Sequence, residues 1–182
     1  FDGAGVSPAL EETNDIGFQA VLVKDGAGVE PGVWLRIVLG GISGHHDLAR
    51  PTGAFCRPDE ATAIADAIIR VFIDHGDRTN RNRARLKYVL DAWGFEAFLS
   101  AVEDKLGRKL RRIDEAHIAP RPPTDRYAHV GVHRQKQAGR NWIGVVMPVG
   151  RLTSEQAKGL AGIATDHGDG DIRLTVWQNL IL

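Results

Sequence analysis

The densest charge in the sequence is a run of cations, Arg78, Arg81, Arg83, Arg85 and Lys87, within ten residues. Guanidinium groups grip carboxylates and phosphates through a planar fork, so such a run is anion chemistry. The spacing predicts a helix over about Asn80–Trp93. Arg81 and Arg85 share one face of it, Arg78 lies just before it and Lys87 is offset. Free N–H groups at the start of that helix would add to the same field. A solvated face whose charges pair with surface acids is the competing reading. Nucleic acid fits less well: only Tyr88 is aromatic nearby, and 23 Lys+Arg balance 23 Asp+Glu over 182 residues.

Two other groupings carry chemistry. Gly40-Gly41-Ile42-Ser43-Gly44 follows a strand-like run and could bring backbone N–H groups close to a ligand, or be a plain tight turn. It lacks the G-x-G-x-x-G spacing of a dinucleotide loop and the Gly-Lys-Ser/Thr of a phosphate loop. In Arg173-Leu174-Thr175-Val176-Trp177-Gln178-Asn179, a strand over 172–176 puts Arg173 and Thr175 on one face and Leu174 and Val176 on the other. Gln178 and Asn179 then set two amides at its end, and a buried amide needs a partner. The histidines make a poor metal set. His45 and His46 are adjacent and diverge in a strand. His129 and His133 are four apart in an expected strand, about 13 Å along one face. The single cysteine, Cys56, excludes an internal disulfide and a four-thiolate zinc or iron–sulfur site made by this chain alone, and reads as a small buried apolar group.

The elements that must position these residues read as α+β, in two mixed α/β units. Residues 16–24 and 33–39 are strands joined by turn-forming residues. A helix opens at Pro58-Asp59-Glu60, with Ala61, Ile64, Ala65, Ile68, Ile69 and Phe72 as its apolar face and a glycine cap at Gly76. A second helix stops at Gly94, and a third runs over Phe95–Leu106. Residues 113–125, with Pro120, Pro122 and Pro123, form the expected linker between units 1–112 and 126–182. The second unit reads as strand 128–133, strand 142–148, helix 154–167 and strand 172–176, a β-β-α-β half-sheet with an open edge. Asp-His-Gly-Asp occurs at 74–77 and 166–169, both expected helix C-termini with left-handed glycine caps. At 43% hydrophobic and 25% charged residues the composition is that of an ordinary globular chain. No run is long enough to cross a membrane as a helix.

Taken together, these pieces resemble a known family. Residues 150–181, Gly-Arg-Leu-Thr, a helix, then Arg-Leu-Thr-Val-Trp-Gln-Asn-Leu-Ile, look like the ferredoxin-like half domain of the sirohaem-dependent nitrite and sulfite reductases. Residues 13–106 are similar to the preceding domain, in the copy that lacks cluster cysteines. The matching segments are Thr13–Phe18, the Gly40-Gly41 loop, Phe72–Leu90 and Asp91–Phe98. The resemblance is nearest to the ferredoxin-dependent assimilatory nitrite reductase type. It implies two pseudo-symmetric halves that hold sirohaem bridged to a four-iron four-sulfur cluster, with ferredoxin or a flavoprotein as donor. It implies cofactor contacts from Asn14, Gly40, Gly41, Arg81, Arg85 and Lys87 on one side, and from Arg173, Thr175, Gln178 and Asn179 on the other.

The same resemblance marks what to expect elsewhere. The family's four cluster cysteines, the upstream half domain and a lysine pair before the Asn14 segment are not in this sequence. The chain is therefore read as an internal fragment, inactive alone and with neither cofactor bound, in a cytoplasmic parent enzyme. Its partners would be the missing halves and the electron donor, with no nucleic acid and no membrane. A second copy pairing through the exposed half-sheet is a further expectation. Sulfite reduction and a non-catalytic binding module of the same fold are the alternatives.

Overall fold

A computed structural model describes residues 1–182, apart from the side chain of His45. The chain divides into two compact units, Phe1–Thr124 and Asp125–Leu182.

In the first unit, β1 (Ile16–Val23), β2 (Gly32–Leu39), β3 (Arg50–Cys56) and β4 (Arg111–Arg112) form an antiparallel sheet in sequence order. Leu35, Ile37 and Leu39 alternate along β2 and meet the helices α1 (Ala61–His75) and α2 (Leu86–Leu106) on one face. Ile64, Ile68, Val71, Phe98, Leu99 and Val102 complete that core, each worth about 1.5–3 kcal/mol of burial. The opposite face carries a smaller cluster of Val23, Trp34, Phe55 and Ile113.

Strand β3 was not evident from sequence because its apolar alternation is broken. Between Arg36 and Val38 the register with β3 shifts, at Gly53 (φ +73°). The buried Thr52 hydroxyl donates to Ile37 O (2.9 Å) and accepts from Ala54 N–H (3.2 Å), satisfying the bulge. β4 is likewise new, and buried Glu103 near the end of α2 anchors it. Against the burial that would raise it, the Lys109 ammonium and Leu110 N–H hold this carboxylate below its usual value.

The helices depart from expectation in two ways. The α1 core face turns toward Ala67 and Val71, leaving Ile69 exposed. α2 begins at Leu86 and not near Asn80, because local side-chain bonds capture the preceding segment. Asp77 accepts from the N–H groups of Thr79 and Asn80, and Asn80 Oδ1 accepts from Asn82 N–H. The expected stop between the second and third helices does occur: α2 is broken at Gly94 (φ 75°, ψ 165°), and its second segment continues to Leu106.

Gly76 and Gly168 do close helices, but in extended backbone, not in the left-handed region. What demands glycine at 76 is space: a Cβ would lie 2.6 Å from both the Phe72 ring and Phe72 O. Residues beyond β4 belong by contact to the first unit. Lys24 N–H donates to His117 O, and Ala119 N–H to Leu22 O, so this segment covers part of the β1 edge.

In the second unit, β5 (Gly131–Arg134), β6 (Asn141–Val145), β7 (Arg173–Leu174) and β8 (Leu180–Ile181) form a sheet in the order β5-β6-β8-β7. The helix α3 (Ser154–His167) opens on a capping box, with Gln156 N–H donating to Thr153 Oγ1 and Thr153 N–H to Gln156 Oε1. The half-sheet expectation holds, with its last strand corrected: the segment folds back as a hairpin, and β8, not β7, pairs with β6. Residues 128–130 form a turn before β5, so His129 and His133 do not share a strand. Among the described residues no helix is long and apolar enough to cross a membrane.

Candidate functional site

β2 ends at Leu39, and the chain crosses under the segment that leads into β1. Gly40 N–H donates to Asp15 O (2.9 Å) and Gly41 N–H to Asn14 O (3.1 Å). A Cβ on Gly41 would lie 2.3 Å from Glu12 O and 2.6 Å from Asn14 O, so only glycine permits this crossing. Gly40 has φ +91° and backs onto Leu90 of α2. These N–H groups are spent inside the corner, and the glycines set its shape. Asn14 is exposed, and its amide donates to Leu10 O (3.2 Å).

Two of the expected cations join the same corner. Arg85 caps the start of α2 in extended backbone and closes its fork on Asp15, with Nη2 to Oδ2 at 2.8 Å and Nε to Oδ1 at 3.0 Å. Arg85 Nη2 also reaches Gly41 O (3.5 Å). The Asp15 bond holds the guanidinium above its usual pKa, against desolvation. Lys87 lies between Asp91 (2.8 Å) and Asp47 (3.3 Å). The bond to Asp91 raises its pKa against desolvation, and Asp47 adds to the effect. Asn14, Gly40, Gly41, Arg85 and Lys87 thus form one constellation.

Arg81 stands apart from it. With α2 starting at Leu86, Arg81 and Arg85 do not share a helix face, a correction to the spacing argument. Arg78 and Arg81 are exposed in the loop before α2, with no acidic partner among the described residues. Arg83 lies over the Tyr88 ring at 5.9 Å. Sequence reasoning missed the acids of the corner, Asp15, Asp47 and Asp91. Of these only Asp91, four residues after Lys87 on a helix, left a readable signal.

In the second unit the expected polar residues serve the hairpin between β7 and β8. Thr175 Oγ1 accepts from Trp177 N–H (3.3 Å) and Asn179 N–H (3.1 Å). Asn179 Oδ1 accepts from Met147 N–H (2.9 Å), and its Nδ2 donates to His129 Nε2 (2.8 Å). Gln178 is exposed with φ 58° and leans on Gly150, where a Cβ would meet its Oε1 at 2.5 Å. Arg173 is exposed and only loosely paired with Asp171, at 3.7 Å. The hairpin, and not an uninterrupted strand, sets which way these groups point. The bond from Asn179 to His129 had no signal in the sequence.

Metal-ligand chemistry has little to draw on. Among the described residues no three His, Cys, Asp or Glu side chains gather as a ligand set. The side chain of His45 lies outside the described residues, and His133 bonds Val130 O and stacks on Trp142. Burial pushes the Cys56 thiol up to about 12, with the Glu60 charge adding, so it is neither a ready nucleophile nor a ready ligand. What the first unit offers is a rigid backbone crossing whose cations are paired with acids, and, apart from it, the exposed Arg78 and Arg81 before α2. That donor set fits a polycarboxylate such as sirohaem through the guanidinium groups of Arg78 and Arg81, which make no ion pair among the described residues.

Comparison with known proteins agrees in order along the chain. Residues 1–110 match the family model "Nitrite and sulphite reductase 4Fe-4S domain". Residues 133–182 match "Nitrite/Sulfite reductase ferredoxin-like half domain". A ferredoxin–nitrite reductase of Synechococcus elongatus is 41% identical over 136 residues, 74% of this chain and 26% of that protein. One from Leptolyngbya laminosa is 35% identical over 91% of this chain and 31% of its own length. "Sulfite reductase (ferredoxin) 2" of Mycolicibacterium paratuberculosis is 35% identical over 98% of this chain and 31% of its own length. The solved structure of the Mycobacterium tuberculosis NirA protein superposes with TM-score 0.77 and 30% identity, over 95% of this chain and 30% of that one. The chain spans about a quarter to a third of these relatives' lengths. With one family model covering more than half of it and the second following in order, the chain belongs to the nitrite and sulphite reductase family.

Proposed function

We propose that this chain is the cofactor-facing middle of a ferredoxin-dependent assimilatory nitrite reductase, which takes nitrite to ammonia in six one-electron steps. When bound, sirohaem coupled to a four-iron four-sulfur cluster supplies the electron transfer. The chain's own residues bind and orient. Arg81, with Arg78 beside it, offers guanidinium groups to the carboxylates of the macrocycle, while Arg85 and Lys87 stiffen the corner through their acids. Asn14, Gly40 and Gly41 fix the backbone crossing against which α2 packs. Arg173, Thr175, Gln178 and Asn179 belong to the hairpin that would face the cofactor from the half domain. The cluster thiolates come from outside this chain, whose only cysteine is Cys56. We place the enzyme in the cytoplasm, a reducing compartment in which a lone thiol stays reduced. Reduced ferredoxin or a flavoprotein would deliver the electrons. The open edges of the half-domain sheet, β5 and β7, are where the missing half, or a second copy, would add strands.

The observation that carries this reading is the pair of unneutralised guanidinium groups, Arg78 and Arg81, just before α2. Sulfite is the second reading, favoured by the sulfite reductase relative that matches 98% of the chain. The test is made in the full-length protein. With reduced ferredoxin it is expected to yield ammonia from nitrite faster than sulfide from sulfite; the reverse order would select the sulfite reading. Arg81→Ala should lower sirohaem content about tenfold, the loss of one charge-assisted contact. Arg83→Ala, whose cation lies over Tyr88, should leave it unchanged. Full sirohaem loading in both variants would remove Arg81 from the cofactor site.

A further inference from the structure

Asp2 and Glu11 are two carboxylic side chains in contact with each other, 2% and 3% exposed. Asp2 is fully supplied with donors. Ala4 N–H (2.7 Å) and Ala9 N–H (2.9 Å) reach it, and Arg121 Nη2 lies 2.8 Å from both oxygens. Glu11 has one side-chain donor, Gln19 Nε2 to Oε1 at 2.6 Å. Its second oxygen, Oε2, is buried with no partner. An ionised carboxylate only accepts, so two ionised groups here would leave that oxygen bare against a like charge. A proton on Glu11 resolves both faults, because the acid O–H can donate to Asp2.

We propose that Glu11 is held as a neutral acid whose proton is shared with Asp2, and that this proton latches residues 1–10 along the edge of β1. The latch has a defined load. Asp2 N–H donates to Phe18 O and Ala20 N–H to Asp2 O, both at 2.8 Å, a single parallel rung on the β1 edge. Phe1 stacks on Phe18 with ring centroids 4.8 Å apart. Glu11 also opens the turn whose next residues build the corner: Glu12 O accepts from Ala49 N–H, and Asn14 O from Gly41 N–H. Releasing the latch therefore loosens the support of the Asn14–Gly41 crossing.

The surrounding charges leave the proton as the only variable. From β1, Gln19 bonds Glu11 and is itself held by Arg36 of β2 (3.2 Å), which is paired with Glu115. From the segment after β4, Arg121 faces Asp2. A cleft of about 530 Å³ is lined by Ala4, Gln19, Arg36, Glu115 and Arg121, residues that surround the pair without exposing it.

Burial raises the pKa of Glu11 above its usual value, and contact with Asp2 adds to the rise. Against its own burial, the bonds from Ala9, Arg121 and Ala4 hold Asp2 at about 2. A raised acid contributes stability that is full below its unfolded pKa and lost as pH rises through the folded one. A depressed acid loses its contribution as pH falls toward the folded value. The latch is closed between these limits and opens on the alkaline side.

The test is hydrogen exchange on the full-length protein, corrected for intrinsic rates, from about pH 5 to about pH 8. Protection of residues 3–15 should fall about tenfold as pH rises through a single titration. In Glu11→Gln, where an amide donates permanently to Asp2, protection should stay high and flat. Overlapping profiles for the two proteins would overturn the proposal. Should the variant not fold, the Glu11 carboxyl shift in the wild-type protein by carbon NMR decides: a midpoint at or below the ordinary glutamate value refutes the latch, and one above it supports it. Exchange is read without turnover, so the outcome is independent of which anion the enzyme reduces.

Discussion

Two backbone strands cross at Gly41 with no room for a single methyl group. The contacts that forbid it are Glu12 O and Asn14 O, main-chain atoms that cannot rotate away. Gly41→Ala should therefore destabilise the chain by about 2–4 kcal/mol, by displacing the turn that carries Asn14. Gly44→Ala, with nothing within 4 Å and no positive φ, should change stability by less than about 0.5 kcal/mol. Urea unfolding of both variants makes the comparison, and equal losses would show that the crossing is not tight. The glycine doublet was visible in the sequence, and so was its place after a strand. Which backbone it passes under was not, because that partner lies 27 residues earlier and carries no pattern of its own. The same holds for Asp15 and Asp47, whose pairing with Arg85 and Lys87 exists only once the corner has closed.

At the level of elements, hydrophobic period and glycine stops were legible, and local polar competition was not. The boundaries of β1, β2 and α3 follow from uninterrupted periodicity and strong caps. The start of α2 moved to Leu86 because Asp77 and Asn80 offered the backbone closer partners than the helix did. The strand expected at 172–176 became a hairpin because the Thr175 hydroxyl turns the chain. Gly94 shows the two effects together. The sequence marks it as a helix stop, and φ 75° with ψ 165° interrupts α2 there in a region essentially reserved for glycine. Open space surrounds it, so a methyl group meets no neighbour and the cost is purely conformational. Gly94→Ala is expected to cost about 1–3 kcal/mol, or to straighten α2 and expel the Arg50–Phe95 contact at 4.9 Å. A melting curve and Phe95 exchange broadening would separate those outcomes, and an unchanged stability would mean that the break carries no strain.

Over the whole molecule the two units differ in how much they bury. The first has helices on one face of its sheet and a second cluster on the other. In the second, Ala164 and Leu180 are the buried hydrophobic residues among those described, while Val132, Ile143, Val146, Ile163, Leu174 and Val176 remain exposed. A sheet with so little covered apolar surface holds its order by hydrogen bonds, chiefly the Asn179 and Thr175 network, each bond contributing only about 1 kcal/mol net. Unfolding of this 182-residue chain should therefore not be a single transition. In exchange measured against rising urea, amides of β5, β6 and β8 are expected to open well before those of β1–β3, as a separate cooperative unit. Coincident opening would show that the second unit borrows stability not visible in its own contacts. In the full-length protein the gap between the two transitions should shrink. The exposed valine, isoleucine and leucine side chains face one way of being satisfied, which is burial against further polypeptide. The size of that shrinkage measures how much of the half domain's stability is supplied by further polypeptide.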